Sequence, residues 1–313
     1  MASRLRLASA RLALAVGALA AGTLPAAAAA PVVPAPPADF GSCRAGAAAH
    51  RPCLALGTPQ RLGRGLVRTY GQLDGGRPLA VGILYSEHAL DGLPTAMTDG
   101  HHCFDIDGDG TIDPMTECVA NHEYVLPLPR AVLDLPGMPL KWALLNWNPM
   151  GHPPAGAYDR PHFDNHFYLQ SKAERDAIRP GPCRGVINCA DAATATRAVP
   201  PEYLPQGYQN RNLTEAAMGN HLADPSSAEW HGAPFTKTFV YGSYDARISF
   251  LEPMVSLAAL RDARDADQAS ACAPVKQPQA WQQPGWYPRA YCVRYLAERR
   301  SYAVSLEDFA RHG

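Results

Sequence analysis

Past its first thirty residues, the 313-residue chain has no apolar run long enough to cross a bilayer, which excludes a protein with membrane-spanning helices. It also lacks an excess of either charge. With 28 Lys and Arg against 29 Asp and Glu, there is no basic surface to attract nucleic acid. No C-x-x-C spacing occurs, so a thiolate zinc site is excluded. His122-Glu123 has no second histidine to complete H-E-x-x-H, and G-x-S-x-G is missing. Without a P-loop or a dinucleotide fingerprint, nothing implies a nucleotide or nicotinamide cofactor. There is no internal repeat.

What is present starts with a secretory signal. Arg4, Arg6 and Arg11 precede an apolar stretch over 12–24, and the alanine run 26–30 supplies small residues for cleavage, so 1–30 reads as a signal peptide. The first cysteine is Cys43, too late for lipid attachment at the cleavage point. Cleavage removes three arginines and no carboxylate, moving the net charge from −1 to about −4. The expected location is the periplasm or the exterior.

The eight cysteines fall into sequence-local pairs: Cys43 with Cys53, Cys103 with Cys118, Cys183 with Cys189, and Cys272 with Cys292. An even count in an oxidising compartment makes disulfides the expectation, and short loops close at small entropic cost. Residues 31–60 read as a Pro/Ala-rich lead-in containing one disulfide loop. Residues 61–313 read as a single β-rich domain with an insertion at 103–118.

Thirty prolines and 26 glycines favour short strands and many turns over long helices. Strand patterns occupy 66–73, 78–86, 122–128, 140–147 and 162–170, with hairpins over 236–252 and 291–306. Short helices are expected over 171–179 and 254–263. The predicted fold class is mainly β, a sandwich or barrel-like domain with a few short helices; an α+β arrangement is the alternative.

Asp105, Asp107, Asp109, Thr111 and Asp113 match the opening of a calcium loop, with carboxylates at positions 1, 3 and 5 and Gly110 at the sharp turn. The match departs at position 12, where Thr116 stands in place of a bidentate glutamate and Glu117 follows one residue late. Calcium is therefore an expected cofactor, in a stabilising rather than a sensing role. The other reading is an acidic turn without an ion.

A second constellation gathers His152, His162, Asp164 and His166 within 148–168, with His221 and Glu252 further on. Imidazole and carboxylate donors suit zinc, manganese, iron or nickel, so a divalent transition metal is the second expected cofactor. On a flat strand, positions i and i+2 lie ~6.6 Å apart and i and i+4 ~13 Å apart. His162 or His166 would then pair with Asp164, but the two histidines would not share one ion. A helix or bulge would instead bring them within ~6 Å. Phe163, Phe167 and Tyr168 favour the strand. His221 is the first choice for a third ligand, followed by Glu252 and His152. Each histidine taken singly reads as a hydrogen-bonded structural residue sooner than as a ligand.

The blocks WNPMGHPPAGAYDRPHFDNHFY (147–168), PPEYLPQGY (200–208), 218–254 and GWYPRAYCVRY (285–295) resemble a bacterial secreted family of unknown function, typified by a thermophile protein under extracytoplasmic sigma-factor control. The resemblance covers about 60–310 and implies a mostly β fold and homo-oligomer formation. It carries over no catalytic residue, and the 103–118 loop looks like an elaboration on the shared domain. The reading is an exported metal-binding protein, foremost a binding or structural protein of the cell envelope. The alternative is a metal-dependent enzyme, a hydrolase or oxygenase, using His162, His166 and His221 with Asp164 or Glu252 as ligand or base. A metal buffer or small-molecule carrier is the third class, and no substrate or ligand is legible.

Overall fold

The computed structural model describes residues 41–43, 52–266 and 271–313; the signal peptide expected at 1–30 lies outside the described residues. The strands build two sheets, and the central strands Trp142–Asn148 and His162–Tyr168 of the second are buried on both faces. The first runs β1 (Gly41–Ser42), β2 (Cys53–Leu56), β4 (Gly65–Asp74), β5 (Arg77–Ser86), β16 (Ser301–His312), β15 (Gly285–Leu296), β14 (Cys272–Pro274), with β3 (Gln60–Leu62) also on β4. The second runs β10 (Gln209–Glu215), β11 (Gly219–Ala223), β12 (Lys237–Tyr244), β13 (Arg247–Ser256), β8 (His162–Tyr168), β7 (Trp142–Asn148), β6 (His122–Leu126). All pairings are antiparallel except β1 with β2. A short β9 (Pro180–Cys183) makes only isolated bridges to Ile187.

The sheets face each other across one apolar core. Val81, Ile83, Tyr85 and Val304 of the first meet Leu145, Phe163, Phe167 and Leu251 of the second, all fully buried. Tyr85 packs its ring 5.2 Å from Phe163 and donates its hydroxyl hydrogen bond to Asn165 across the gap. The fold is mainly β, a sandwich and not a closed barrel. Burial of both inner faces is the main source of its stability.

Local chemistry explains the connections. Asp74 pairs with Arg77 across a two-residue turn whose Gly75 and Gly76 have φ of 55° and 79°, the doubly left-handed turn that matches strand twist. Ser171 and Glu174 form a capping box that starts the short helix Lys172–Asp176. The four sequence-local cysteine pairs are all bonded.

Two expectations change. The helix over 254–263 is shorter: Met254 and Val255 continue β13, paired with Thr238 and Lys237, and the helix occupies only Leu257–Asp262. The core decides this, because Val255 is fully buried between the sheets. The first sheet also takes in Gly41–Ser42 and Cys53–Leu56 from the compositional lead-in, tied by the Cys43–Cys53 disulfide.

Candidate functional site

β8 supplies the centre of the site. Phe163, Asn165 and Phe167 point into the sandwich, so His162, Asp164, His166 and Tyr168 lie on the outer face of the second sheet. Their row neighbours on β7 are Asn148, Asn146, Leu144 and Trp142. On β13, Leu251 pairs with Phe167 and Met254 with Asp164, a register that sets Glu252 across from His166. All seven residues of β8 are buried, because loops and the β10–β11 hairpin cover this face.

The outer face carries two groups of ligand atoms, each within 4.8 Å of one another: His152, His162 and Asp164, and His166, His221 and Glu252. The strand's spacing therefore divides the set proposed from sequence. His162 stands in one group, His166 and His221 in the other, and a single ion bound by all three is corrected to two separate ligand sets. His152 and Glu252, ranked after His221 from sequence, complete the two groups.

In the first group, His162 Nδ1 lies 2.7 Å from the carbonyl of Arg160 and His152 Nδ1 2.7 Å from that of Pro153. A carbonyl only accepts, so each Nδ1 donates there, and Nε2 is the nitrogen left to face the site. Both Nε2 atoms face Asp164: His162 Nε2 is 3.1 Å from Oδ1 and His152 Nε2 is 3.5 Å from Oδ2. Asn148 donates to Oδ2 at 2.6 Å and orients the carboxylate. The path of the chain delivers His152. Gly151 has φ 75°, and a Cβ there would meet the Tyr158 carbonyl oxygen at 2.2 Å, so only glycine permits the turn.

In the second group only His221 repeats the pattern. His221 Nδ1 lies 3.0 Å from the Leu213 carbonyl, and its Nε2 is 4.0 Å from Glu252 Oε2. His166 Nε2 is 3.4 Å from Glu252 Oε1. Among the described residues, His162 Nε2, Asp164 Oδ1, both nitrogens of His166 and Glu252 Oε2 are buried without a hydrogen-bond partner. Buried polar atoms are rarely left so, and here they are the atoms a cation would take. Histidines held through Nδ1 and presenting Nε2 have the outer-shell arrangement of metal ligands.

Charge is distributed to match. Burial would raise the Asp164 pKa, but His162 and His152 hold it well below the usual carboxylate range. Burial pushes Glu252 well up, reinforced by Asp164 and Glu215. Burial is the chief cause that lowers His166 to about 3 and His221 to about 4. At His152 burial also disfavours the charge, yet Asp164 and then Glu215 outweigh it and raise the pKa to about 9. The imbalance of buried carboxylates is thus met by protons, where a divalent ion would serve.

A cavity of about 180 Å³ opens onto both groups, lined by His152, His221, Glu252 and Glu215, and a neighbouring one of about 210 Å³ is lined by Asp164, His152, His221 and Glu215. Glu215 was missed from sequence. Burial raises its pKa to about 7. Its signal was the unrecognised β10–β11 hairpin, in which Leu213 pairs with His221 and Glu215 with Gly219. Also missed was Arg175, 2% exposed, whose guanidinium pairs with buried Glu123 beneath His102.

Elsewhere, Cys272, Cys292 and Glu307 lie within ligand distance, but the two sulfurs are consumed by their disulfide and Glu307 pairs with Arg294. In the acidic loop, oxygens of Asp105, Asp107 and Asp109 converge within 4.8 Å. Asp105 accepts from the backbone of Gly108 and Gly110, and Asp109 from Thr111. Asp113 turns away to the Met115 amide and the Thr116 hydroxyl. Glu117 folds inward and accepts from Ile106, Asp107 and Asp113, bracing the loop through its backbone. Among the described residues, no helix is long and apolar enough to cross a membrane. No family model matches the chain, and neither a curated protein nor a solved structure matches it.

Proposed function

We propose that this is an exported metalloenzyme that holds a divalent transition ion at each of the two histidine–carboxylate groups and acts on a small polar substrate in the cavity between them. One observation carries the reading: three histidines commit Nδ1 to backbone carbonyls and turn Nε2 toward buried carboxylates beside a cavity. Each group offers three protein ligands, and among the described residues none has a fourth of the same kind in reach. A structural site closes with four, whereas a catalytic one leaves a position for water or substrate. An ion bound there supplies Lewis acidity and an activated water. Around it, Asn148 fixes the Asp164 carboxylate, the Arg160 and Pro153 carbonyls fix the imidazoles, and Glu215 stands at the cavity wall to accept a proton. Hydrolysis is the reaction class that uses these parts. Calcium at Asp105, Asp107, Asp109 and the Thr111 carbonyl, export to the periplasm or beyond, and the homo-oligomer implied by the family resemblance belong to the same proposal.

The test is elemental analysis of the mature, untagged protein beside His162→Ala and His166→Ala variants, followed by an ester and phosphoester panel with and without chelator. A transition metal that falls in both variants, with chelator-sensitive hydrolysis, is the expected result. Absence of any transition metal after loading with zinc or manganese overturns the metal reading; bound metal without hydrolysis overturns the enzyme reading alone.

A further inference from the structure

A cavity of about 690 Å³ lies where the β12–β13 turn, the start of β15 and the residues after β8 meet, and it shares no lining residue with the cavity beside the histidine groups. We propose that it binds a neutral saccharide of one to a few sugar rings. Three features of the wall select that class.

The first is an aromatic platform. Trp281 stacks on Tyr287 with ring centroids 3.7 Å apart and planes within 9°, and both line the cavity with Tyr203 and Tyr244. The platform is fixed before any ligand arrives. Gln282, next to Trp281, donates to the Ala246 carbonyl at 2.9 Å and accepts from the Ile248 amide at 2.9 Å, while the Tyr287 hydroxyl donates to the Gln283 carbonyl at 3.0 Å. Such preorganisation lowers the cost of binding. The turn it braces places Asp245 and Ala246 at φ of 49° and 60°, a conformation non-glycine residues seldom adopt.

The second is unmet hydrogen-bonding capacity. Ser249 is 2% exposed and its hydroxyl has no partner; Gln170 Nε2 and Trp281 Nε1 are likewise buried without one. All three residues line the cavity. Buried polar atoms without partners in a pocket are accounted for by a ligand's hydroxyls.

The third is charge balance. The charged residues of the lining are two cations, Lys141 and Arg247, and two anions, Glu174 and Asp245. A nucleotide or other phosphorylated ligand needs an excess of cations, and an apolar ligand would leave the hydroxyl and amide unpaired. A ring with an apolar C–H face and polar edges fits all three features.

The experiment uses the full mature chain, titrated by calorimetry and tryptophan fluorescence with neutral gluco-, manno-, galacto- and N-acetylglucosamine oligosaccharides, with mononucleotides and short peptides as separate arms. Binding of at least one saccharide series is expected, weakened about tenfold or more by Trp281→Ala, partly restored by Trp281→Phe, and unchanged by His162→Ala. Ser249→Ala and Gln170→Ala, which spare the stacked pair, weaken it severalfold and carry the test if Trp281→Ala does not fold. No saccharide binding by the wild type overturns the proposal. So does saccharide binding indifferent to all of these cavity variants, or occupancy of the cavity by nucleotides or peptides instead.

Discussion

Metal binding must appear as heat stability, and the structure says how it divides. Both groups are assembled only in the folded sandwich, since their ligands come from a loop, three strands and residues up to a hundred positions apart. An ion that binds the folded chain alone stabilises it by about 2.7 kcal/mol at a hundredfold excess over its dissociation constant. For a chain of this size each kcal/mol moves Tm by roughly 2–4 °C, so each occupied group adds roughly 5–11 °C. The perturbation is His162→Ala, at a fully buried position. It lowers the absolute Tm through lost packing, so the quantity to read is the increment between metal and chelator. Differential scanning calorimetry with zinc or manganese against EDTA should give two increments in the wild type. His162→Ala and His166→Ala should each keep one, and the double variant none. Equal melting with ion and with chelator in the wild type refutes the reasoning, as do increments that survive in the double variant.

Three more expectations follow from particular residues. His152, with its pKa raised to about 9, must give up its proton to present Nε2, so binding to the first group releases a proton near neutrality. Measured in the His166→Ala variant, affinity should rise about tenfold per pH unit from 6 towards 9, and calorimetry in buffers of different ionisation enthalpy should count that proton; flat affinity contradicts it. Burial would raise the Glu123 pKa, but His102 and Arg175 hold it at about 2, below its ordinary 4.5, so its contribution is complete above pH 4.5 and lost as pH falls to about 2. Glu123→Gln leaves the Arg175 cation buried and should cost about 3–5 kcal/mol in urea unfolding at pH 7, with the difference from wild type vanishing in strong acid. Opening the 15-residue Cys103–Cys118 loop by paired Cys→Ser substitution should cost about 3 kcal/mol and expose residues 104–117 to protease. If the loop holds calcium, the ion slows that cleavage in the wild type and EGTA restores it.

Much of this was legible in the chain, because it is set by near neighbours. Alternation marked β5, an apolar run β7 and aromatic residues β8, and short cysteine spacings marked all four disulfides. The β10–β11 hairpin escaped because Asn210, Asn212 and Thr214 give it no apolar period, and with it went Glu215. The helix at 254–263 was overcalled because local propensity could not register that β12 continues to pair with Met254 and Val255. By itself, the sequence determined that on a flat strand His162, Asp164 and His166 share one face with the two histidines too far apart for one ion, while a helix or bulge, which the structure does not form, would have joined them. Only the tertiary structure decided that His152 joins His162 and Asp164, that His221 and Glu252 join His166, and that Glu215 looks into the cavity they border. Ligand convergence depends on cross-strand register and on the path of a covering loop. Those are fixed by hydrogen bonds and packing between residues far apart in the chain, which no local period encodes.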